Sequence, residues 1–147
     1  MKGVQLTKMM QDLKLKNLTP DIDMTDRVLT TSEINRPALQ LAGYLEHFAN
    51  ERAQIIGYVE YTYLQKMSEE ERHFTYERFI SSKIHCVIFS TRTTPTEDML
   101  NLANQYGVPT FITSRTTSSF MAEIIRWLGV YLAPCITIHG VLVDVYG

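Results

Sequence analysis

A short run of residues in the second half of the chain, 84–89, most constrains the fold. It reads Ile-His-Cys-Val-Ile-Phe and is almost continuously apolar, which is the pattern of a β-strand buried on both faces. Residues 54–60 and 108–112 are also rich in β-branched and aromatic side chains and predict two more strands. Strands covered on both faces need helices on either side of the sheet. The chain is therefore expected to form a layered α/β domain.

Helical patterns separate these strands. Ser68, followed three residues later by Glu71, forms a capping box and predicts a helix over about residues 69–80. Thr94 before Pro95 predicts the start of the next helix, and Gly107 its end. A further helix is expected from about 118 to 131, burying Phe120, Ile124, Trp127, Leu128 and Tyr131. The alternation of strand and helix predicts β-α-β crossovers and a largely parallel sheet flanked by helices.

The first third of the chain is less regular. Apolar residues at helical spacing predict an amphipathic helix: Val4, Leu6, Met9, Met10, Leu13 and Leu15. Residues 17–26 read as a loop and 27–30 as an extended piece. Pro37 is expected at the first position of a short helix. The buried stripe of that helix is predicted to be Leu39, Leu41, Ala42 and Leu45.

The tail, residues 133–147, predicts a hairpin because two β-rich runs flank His139 and Gly140. One interpretation adds this hairpin to the edge of the preceding sheet. The other, which we adopt, is that 1–132 form one α/β domain and 133–147 are the linker and first strands of a second domain that the chain does not complete. An isolated pair of strands is marginally stable in water, which favours the second interpretation.

Composition limits the possible functions. The chain has 147 residues, of which 45% are hydrophobic, and a net charge of −2, which favours a packed domain and argues against non-specific nucleic-acid binding. Its N-terminus lacks the apolar core of a secretion signal and no long apolar run follows, so a soluble, cytoplasmic protein without membrane contact is expected. Cys86 and Cys135 are far apart and are expected to be reduced structural thiols.

Several common catalytic motifs are missing. The seven glycines are never closer than seven positions apart, so the chain contains neither a P-loop nor a G-x-G-x-x-G motif. The H-E-x-x-H and G-x-S-x-G motifs are also missing, which removes the usual zinc-protease and serine-hydrolase signatures.

Three arginines are candidates for anion binding or an interface. Residues 113–119 (Thr-Ser-Arg-Thr-Thr-Ser-Ser) lie between a predicted strand and a helix N-terminus, where hydroxyls, backbone N–H groups and Arg115 can face a phosphate. A capped helix start with a solvated arginine explains the same pattern. Arg36 and Arg52 can bind an anion or, alternatively, form structural ion pairs.

The histidines separate into two groups. His47, His73 and His85 have no spacing that suggests a metal site and are interpreted as surface or core residues. His139 stands at a glycine-flanked break between two apolar runs, where an imidazole can be presented for proton transfer or phosphate contact. Asp144 is a possible partner for it, although a solvent-facing strand residue explains Asp144 equally well.

Several segments together resemble a known family. Ile34-Asn35-Arg36-Pro37 with residues 39–44, then Glu51-Arg52-Ala53-Gln54 and Gly57, resemble the N-terminal domain of HPr kinase/phosphorylase. Residues 139–147 resemble the segment that precedes the P-loop of the kinase domain in that family. One departure is Ala38, where the family has glycine after Arg-Pro, and it puts only local backbone freedom in doubt.

The resemblance implies a function for the complete enzyme. The family phosphorylates a serine of the phosphocarrier protein HPr with ATP or pyrophosphate and Mg²⁺. It also removes that phosphate by phosphorolysis, thereby regulating carbon catabolite repression. The resemblance further implies that the enzyme is a hexamer. The family's active-site histidine corresponds to His139, whereas the P-loop lies beyond Gly147. The resemblance therefore implies an assembly or regulatory N-terminal domain, inactive alone. The alternative is a free-standing α/β module that senses a small phosphorylated metabolite at residues 113–119.

Overall fold

The computed structural model describes residues 3–133 and, for the backbone only, residues 135–138 and 141–144. Helices and strands alternate along the chain. The elements are β1 (Val4–Gln5), α1 (Leu6–Asp12), β2 (Lys16–Asn17), β3 (Val28–Leu29), β4 (Ile34–Asn35), α2 (Ala38–Leu41), β5 (Ala53–Ile56), α3 (Tyr58–Gln65), α4 (Glu69–Ile80), β6 (Val87–Phe89), α5 (Glu97–Tyr106), β7 (Thr110–Ile112), α6 (Thr117–Tyr131), β8 (Cys135–Ile138) and β9 (Val141–Asp144).

The central sheet has five strands in the order β2-β7-β6-β5-β4. Strands β4 to β7 run parallel, with Ile55 opposite Ile88 and Ile88 opposite Phe111. Strand β2 pairs with β7 in the antiparallel direction and forms one edge. The largely parallel α/β sheet predicted from the sequence is therefore confirmed, and β2 is an additional antiparallel strand that the loop assignment for residues 17–26 partly missed.

Two apolar cores cover the two faces of the sheet, since successive side chains of a strand point to opposite sides. Ile55, Ile88 and Phe111 pack with α1 and α6. Ile56, Val87 and Phe89 pack with α4 and α5 on the other face. Both faces of the central strands are consequently covered by apolar side chains, which explains why the sequences of these strands are continuously apolar.

The chain leaves the ends of β6 and β7 toward opposite faces. Helix α5, which follows β6, buries Met99 and Leu102 in one core, whereas α6, which follows β7, buries Phe120 and Ile124 in the other. In open α/β sheets a change of side of this kind opens a crevice at the carboxyl ends of the strands. A ligand-binding site is therefore expected at the carboxyl edge of the sheet.

Helix caps follow local chemistry, with one correction. Helix α4 begins after Ser68, whose hydroxyl accepts the Glu71 N–H at 3.2 Å, as predicted. Helix α5 begins after Thr96 rather than at Thr94, because the Thr96 hydroxyl accepts the Met99 N–H. Gly107 ends α5 in the left-handed conformation, as predicted (φ 68°).

Four other predictions were wrong in whole or in part. The strand predicted over 54–60 ends at Ile56, because the Glu60 carboxylate accepts the Gly57 N–H and fixes the first turn of α3 there. The first predicted helix starts only at Leu6, after β1. Pro37 precedes α2 as its cap residue instead of opening it. Four side chains predicted to be buried are exposed: Leu39, Ala42, Leu45 and Tyr131.

Residues 135–138 and 141–144 of the tail pair in the antiparallel direction, which agrees with the predicted hairpin. Cys135 pairs with Asp144 and Ile138 with Val141, and the two strands make a two-stranded sheet separate from the central one. The division between a domain over 1–132 and the start of another over 133–147 stays a prediction.

Candidate functional site

Four residues from distant parts of the sequence meet at the carboxyl edge of the sheet. Arg36 directly follows β4, Gly57 follows β5, Ser90 follows β6, and Thr117 is the first residue of α6. Because parallel strands all end at the same edge, the fold collects these positions, which are separated by up to 81 residues in sequence.

Arg36 forms a bidentate ion pair at this edge. Its Nε donates to Glu60 Oε2 at 2.9 Å and its Nη2 to Glu60 Oε1 at 2.7 Å. The Glu60 side chain is 3% exposed and that of Arg36 is 32% exposed. Glu60 Oε1 also accepts the Gly57 N–H, and Arg36 Nη1 contacts Met121 Sδ at 3.4 Å. The guanidinium thereby ties β4 to the start of α3 and to α6, and its charge is neutralised within the protein.

The absence of a side chain at Gly57 allows this close approach. A Cβ there would lie 2.6 Å from Arg36 Nη2 and 2.8 Å from Thr117 Oγ1. The Thr117 and Ser90 hydroxyl oxygens are 2.7 Å apart, and the Thr93 hydroxyl donates to the Ser90 carbonyl. The protein's own polar groups therefore fill the centre of the crevice and hold its walls together.

Arg115 lies in a separate cleft of about 250 Å³ on the same edge. Its Nε is 3.0 Å from Glu123 Oε1, and Thr116 caps α6 by accepting the Ser119 N–H. Lys14 also lines this cleft, a residue that sequence reasoning missed. Lys14 comes close because β2 pairs antiparallel with β7, Lys16 opposite Ile112. The cleft combines two cationic side chains with the carboxylates of Asp12 and Glu123.

Arg52 lies at the amino ends of the parallel strands, whereas Arg36 lies at their carboxyl ends. Arg52 precedes β5, and its Nη2 contacts Glu33 Oε2 at 2.9 Å, with the Glu33 side chain 67% exposed. Beside it, the Asn35 side-chain amide donates to Gln54 Oε1 at 2.7 Å. The structure thus brings the three candidate arginines into three different places, each beside a carboxylate.

The candidate catalytic residue, His139, lies outside the described residues, and of Asp144 and Cys135 only the backbone is described. Cys86 is free and completely buried, and this burial raises the pKa of its thiol to about 12, which makes it an unreactive structural residue. Within residues 3–133, no group of three or more His, Cys, Asp or Glu side chains is arranged to hold a metal ion.

A larger cleft, of about 540 Å³, opens between the N-terminal ends of α4 and α5. Sequence reasoning did not identify it, since the two helices start 28 residues apart in the chain. His73 on α4 and Asp98 on α5 face each other there at 2.8 Å. The lining is predominantly acidic and consists of Glu69, Glu70, Arg72, His73, Thr96, Glu97 and Asp98.

Fold and site together define a layered α/β domain whose carboxyl edge is locked by an internal ion pair and whose described residues provide no phosphate-binding loop. Comparison with known proteins gives its family. Residues 4–128 match the family model described as HPr Serine kinase N terminus, and the chain belongs to this family.

Curated relatives support the same family over almost the whole chain. The chain is 48% identical over 144 residues to an HPr kinase/phosphorylase from Lachnoclostridium phytofermentans, covering 98% of this chain and 47% of that protein. It is 38% identical to the protein of that name from Alkaliphilus metalliredigens, covering 100% of this chain and 47% of the relative. The chain therefore spans about half the length of the curated relatives that it matches. None of the helices in the described part is long and apolar enough to cross a membrane.

Proposed function

We propose that this chain is the N-terminal part of a bifunctional HPr kinase/phosphorylase. The complete enzyme phosphorylates a serine of HPr with ATP or pyrophosphate and Mg²⁺ and removes the phosphate by phosphorolysis, as a hexamer in the cytoplasm, thereby regulating carbon catabolite repression. The observation that carries the proposal is the match of residues 4–128 to the kinase N-terminal family, together with relatives of that name that align over nearly the whole chain.

Within the complete enzyme, we assign this domain to assembly or regulation. Its sheet edge is filled by Arg36, Glu60, Ser90 and Thr117, which leaves no open cradle at the position where α/β domains usually bind nucleotides. The residues of this chain also do not fit ATP and Mg²⁺: the glycines are widely spaced, and residues 3–133 contain no metal-ligand group. The groups that hold nucleotide and metal are therefore assigned to the part of the relatives that this chain does not cover.

His139 is the residue of this chain that we assign to catalysis, on the resemblance of the tail to the family. Its expected role is to contact the transferred phosphate or to orient an acid/base aspartate, because phosphoryl transfer depends mainly on positioning and charge stabilisation. This role rests on the family pattern at residues 139–147 alone.

Phosphate transfer measurements test the proposal. The 147-residue chain, mixed with HPr, Mg²⁺ and ATP or pyrophosphate, should transfer no phosphate, whereas the product of the extended gene should phosphorylate HPr and reverse the reaction with inorganic phosphate. The gene must encode a P-loop after Gly147. In the extended protein, His139→Ala should slow both directions and leave the hexamer intact, while Arg52→Ala should change neither rate. Transfer by the 147-residue chain, or an extended gene without a P-loop, would contradict the proposal.

The cleft beside Arg115 is the observation that favours a second function, the binding of a small phosphorylated metabolite. Lys14 and Arg115 both line it, although Glu123 already neutralises Arg115. Calorimetric titration with inorganic phosphate and sugar phosphates should show heat that Lys14→Ala and Arg115→Ala abolish and Arg52→Ala preserves. Absence of heat with all of these anions would remove this function.

A further inference from the structure

Polar side chains connect α4 to α5 along the side of the cleft between their N-terminal ends. His73 Nδ1 lies 2.8 Å from Asp98 Oδ2 and 3.0 Å from Asp98 Oδ1. One turn further along α4, Glu77 Oε2 accepts the Tyr106 hydroxyl at 2.8 Å. His73 Nε2 is 3.8 Å from Glu77 Oε1. Asp98, His73, Glu77 and Tyr106 thus form one continuous series that crosses twice between the helices.

The geometry fixes where the imidazole carries its protons. Both Asp98 oxygens are acceptors, so Nδ1 must be the protonated nitrogen of neutral His73. The unprotonated Nε2 then lies 3.8 Å from Glu77 Oε1, and the two electron-rich atoms repel each other. Protonation of Nε2 makes the imidazole a cation at this distance from the carboxylate and reverses the sign of the interaction. His73 is therefore joined to Asp98 across the two helices in both states, and more strongly when charged, because the hydrogen bond is then an ion pair. Its contact with Glu77, on the same helix, is attractive only in the charged state and favours that state.

The carboxylates around His73 all favour its protonated form. Helix α4 contributes Glu69, Glu70 and Glu77, and helix α5 contributes Glu97 and Asp98. The neighbouring cation, Arg72, also lines the cleft, but its Nε donates to the Leu64 carbonyl at 3.0 Å and its Nη2 to the Met67 carbonyl at 3.1 Å. The other cation of α4, Arg78, donates from Nη2 to the Leu41 carbonyl at 3.2 Å. Among the described residues, neither arginine of α4 is therefore paired with these carboxylates.

We propose that His73 is a pH-dependent clamp that binds α4 to α5 more strongly when it is protonated and relaxes the mouth of the cleft when it is neutral. The hydrogen bond with Asp98 raises the pKa of His73 above its ordinary value of 6.5, with smaller contributions from the charges of Asp98 and Glu77 and an opposing effect of desolvation. Since the folded-state pKa is the higher one, the stabilisation is fully present below pH 6.5 and is lost as the pH rises through the folded-state pKa.

Nuclear magnetic resonance titration of the imidazole in the 147-residue chain, from about pH 5 to about pH 9, tests the electrostatic part. The midpoint of His73 should lie above 6.5. It should fall in Asp98→Asn, which removes the largest cause of the raised pKa, and by a smaller amount in Glu77→Gln. Glu46→Gln, which removes one carboxylate charge elsewhere, is the matched control and should leave it unchanged. A midpoint at or below 6.5, or equal effects of Glu46→Gln and Glu77→Gln, would overturn the proposal.

Thermal unfolding tests the clamp itself. The midpoint temperature of the wild-type chain should exceed that of His73→Gln by more at low pH than at high pH, and adding Glu77→Gln to both proteins should shrink this pH dependence. His85→Gln serves as the control for loss of a histidine outside the cleft. A difference between wild type and His73→Gln that stays constant with pH would show that His73 is only a packing residue and would refute the clamp.

Discussion

The ion pair between Arg36 and Glu60 gives the sharpest test of the structure. Glu60 is 3% exposed and accepts hydrogen bonds from Arg36 Nε, Arg36 Nη2 and the Gly57 N–H. Arg36→Met removes two of these donors and leaves a buried carboxylate with one. Breaking a buried pair in this way costs about 3–5 kcal/mol of unfolding free energy, because the remaining charge has lost its cationic partner and is shielded from water.

Glu60→Gln should cost less. The amide oxygen can still accept from Gly57 or Arg36, and the Arg36 side chain is 32% exposed and can be hydrated. Loss of a hydrogen bond to a charged group gives about 1.5–3 kcal/mol. The double variant is decisive: Glu60→Gln neutralises the orphaned carboxylate left by Arg36→Met, so the double variant should be more stable than Arg36→Met alone.

Urea unfolding followed by the fluorescence of Trp127 provides the assay, since this is the single tryptophan and it packs in the core beside α1. Arg52→Met is the matched control, because its partner Glu33 is largely exposed, and it should cost less than about 1 kcal/mol. If the costs of Arg36→Met and Glu60→Gln simply add in the double variant, the buried-pair explanation is refuted.

Four further measurements probe other parts of the fold. The buried hydroxyl of Tyr76 has no hydrogen-bond partner among the described residues, so Tyr76→Phe should leave stability unchanged or raise it by up to about 1 kcal/mol in the same assay, and a clear loss of stability would contradict this. Gly57→Ala should destabilise by about 1–3 kcal/mol, because its Cβ would lie 2.8 Å from Thr117. Thr96→Ala should lower the free energy of unfolding by about 1 kcal/mol, and Thr94→Ala should lower it much less. If Thr94→Ala were the more destabilising of the two, the cap of α5 would be Thr94. Cys86 should react with a thiol reagent only at the rate of unfolding, since burial raises its pKa to about 12, and rapid labelling of the native chain would contradict its burial.

Where the controlling interaction is local, the sequence predicted the structure closely. Helix α4 occupies residues 69–80 as expected, because its cap and its first turn lie within four residues of each other. The choice between Thr94 and Thr96 as the cap of α5 failed, since both are followed by suitable residues and only the final hydrogen bond separates them. At Tyr58 and Val59 strand propensity was overridden by the Glu60 carboxylate, which fixed a helical turn.

The candidate site was less predictable. Arg36 was identified, but its partner Glu60 is 24 residues away, and a single sequence contains no signal for that pairing. The same holds for Lys14 beside Arg115, which depends on the register of β2 against β7, and for His73 beside Asp98, 25 residues apart. Each of these contacts depends on how whole elements pack, and packing depends on the complete set of buried surfaces.

The sequence by itself determined the strands buried on both faces, most of the helix caps and the layered α/β class, because hydrophobic period and capping are properties of neighbouring residues. Only the tertiary structure decided which charge meets which: Arg36 with Glu60 inside the sheet edge, Arg52 with Glu33 at the surface, His73 with Asp98 across two helices. The strength of a charge pair depends on distance and on access to water, and both are set when the helices close over the sheet.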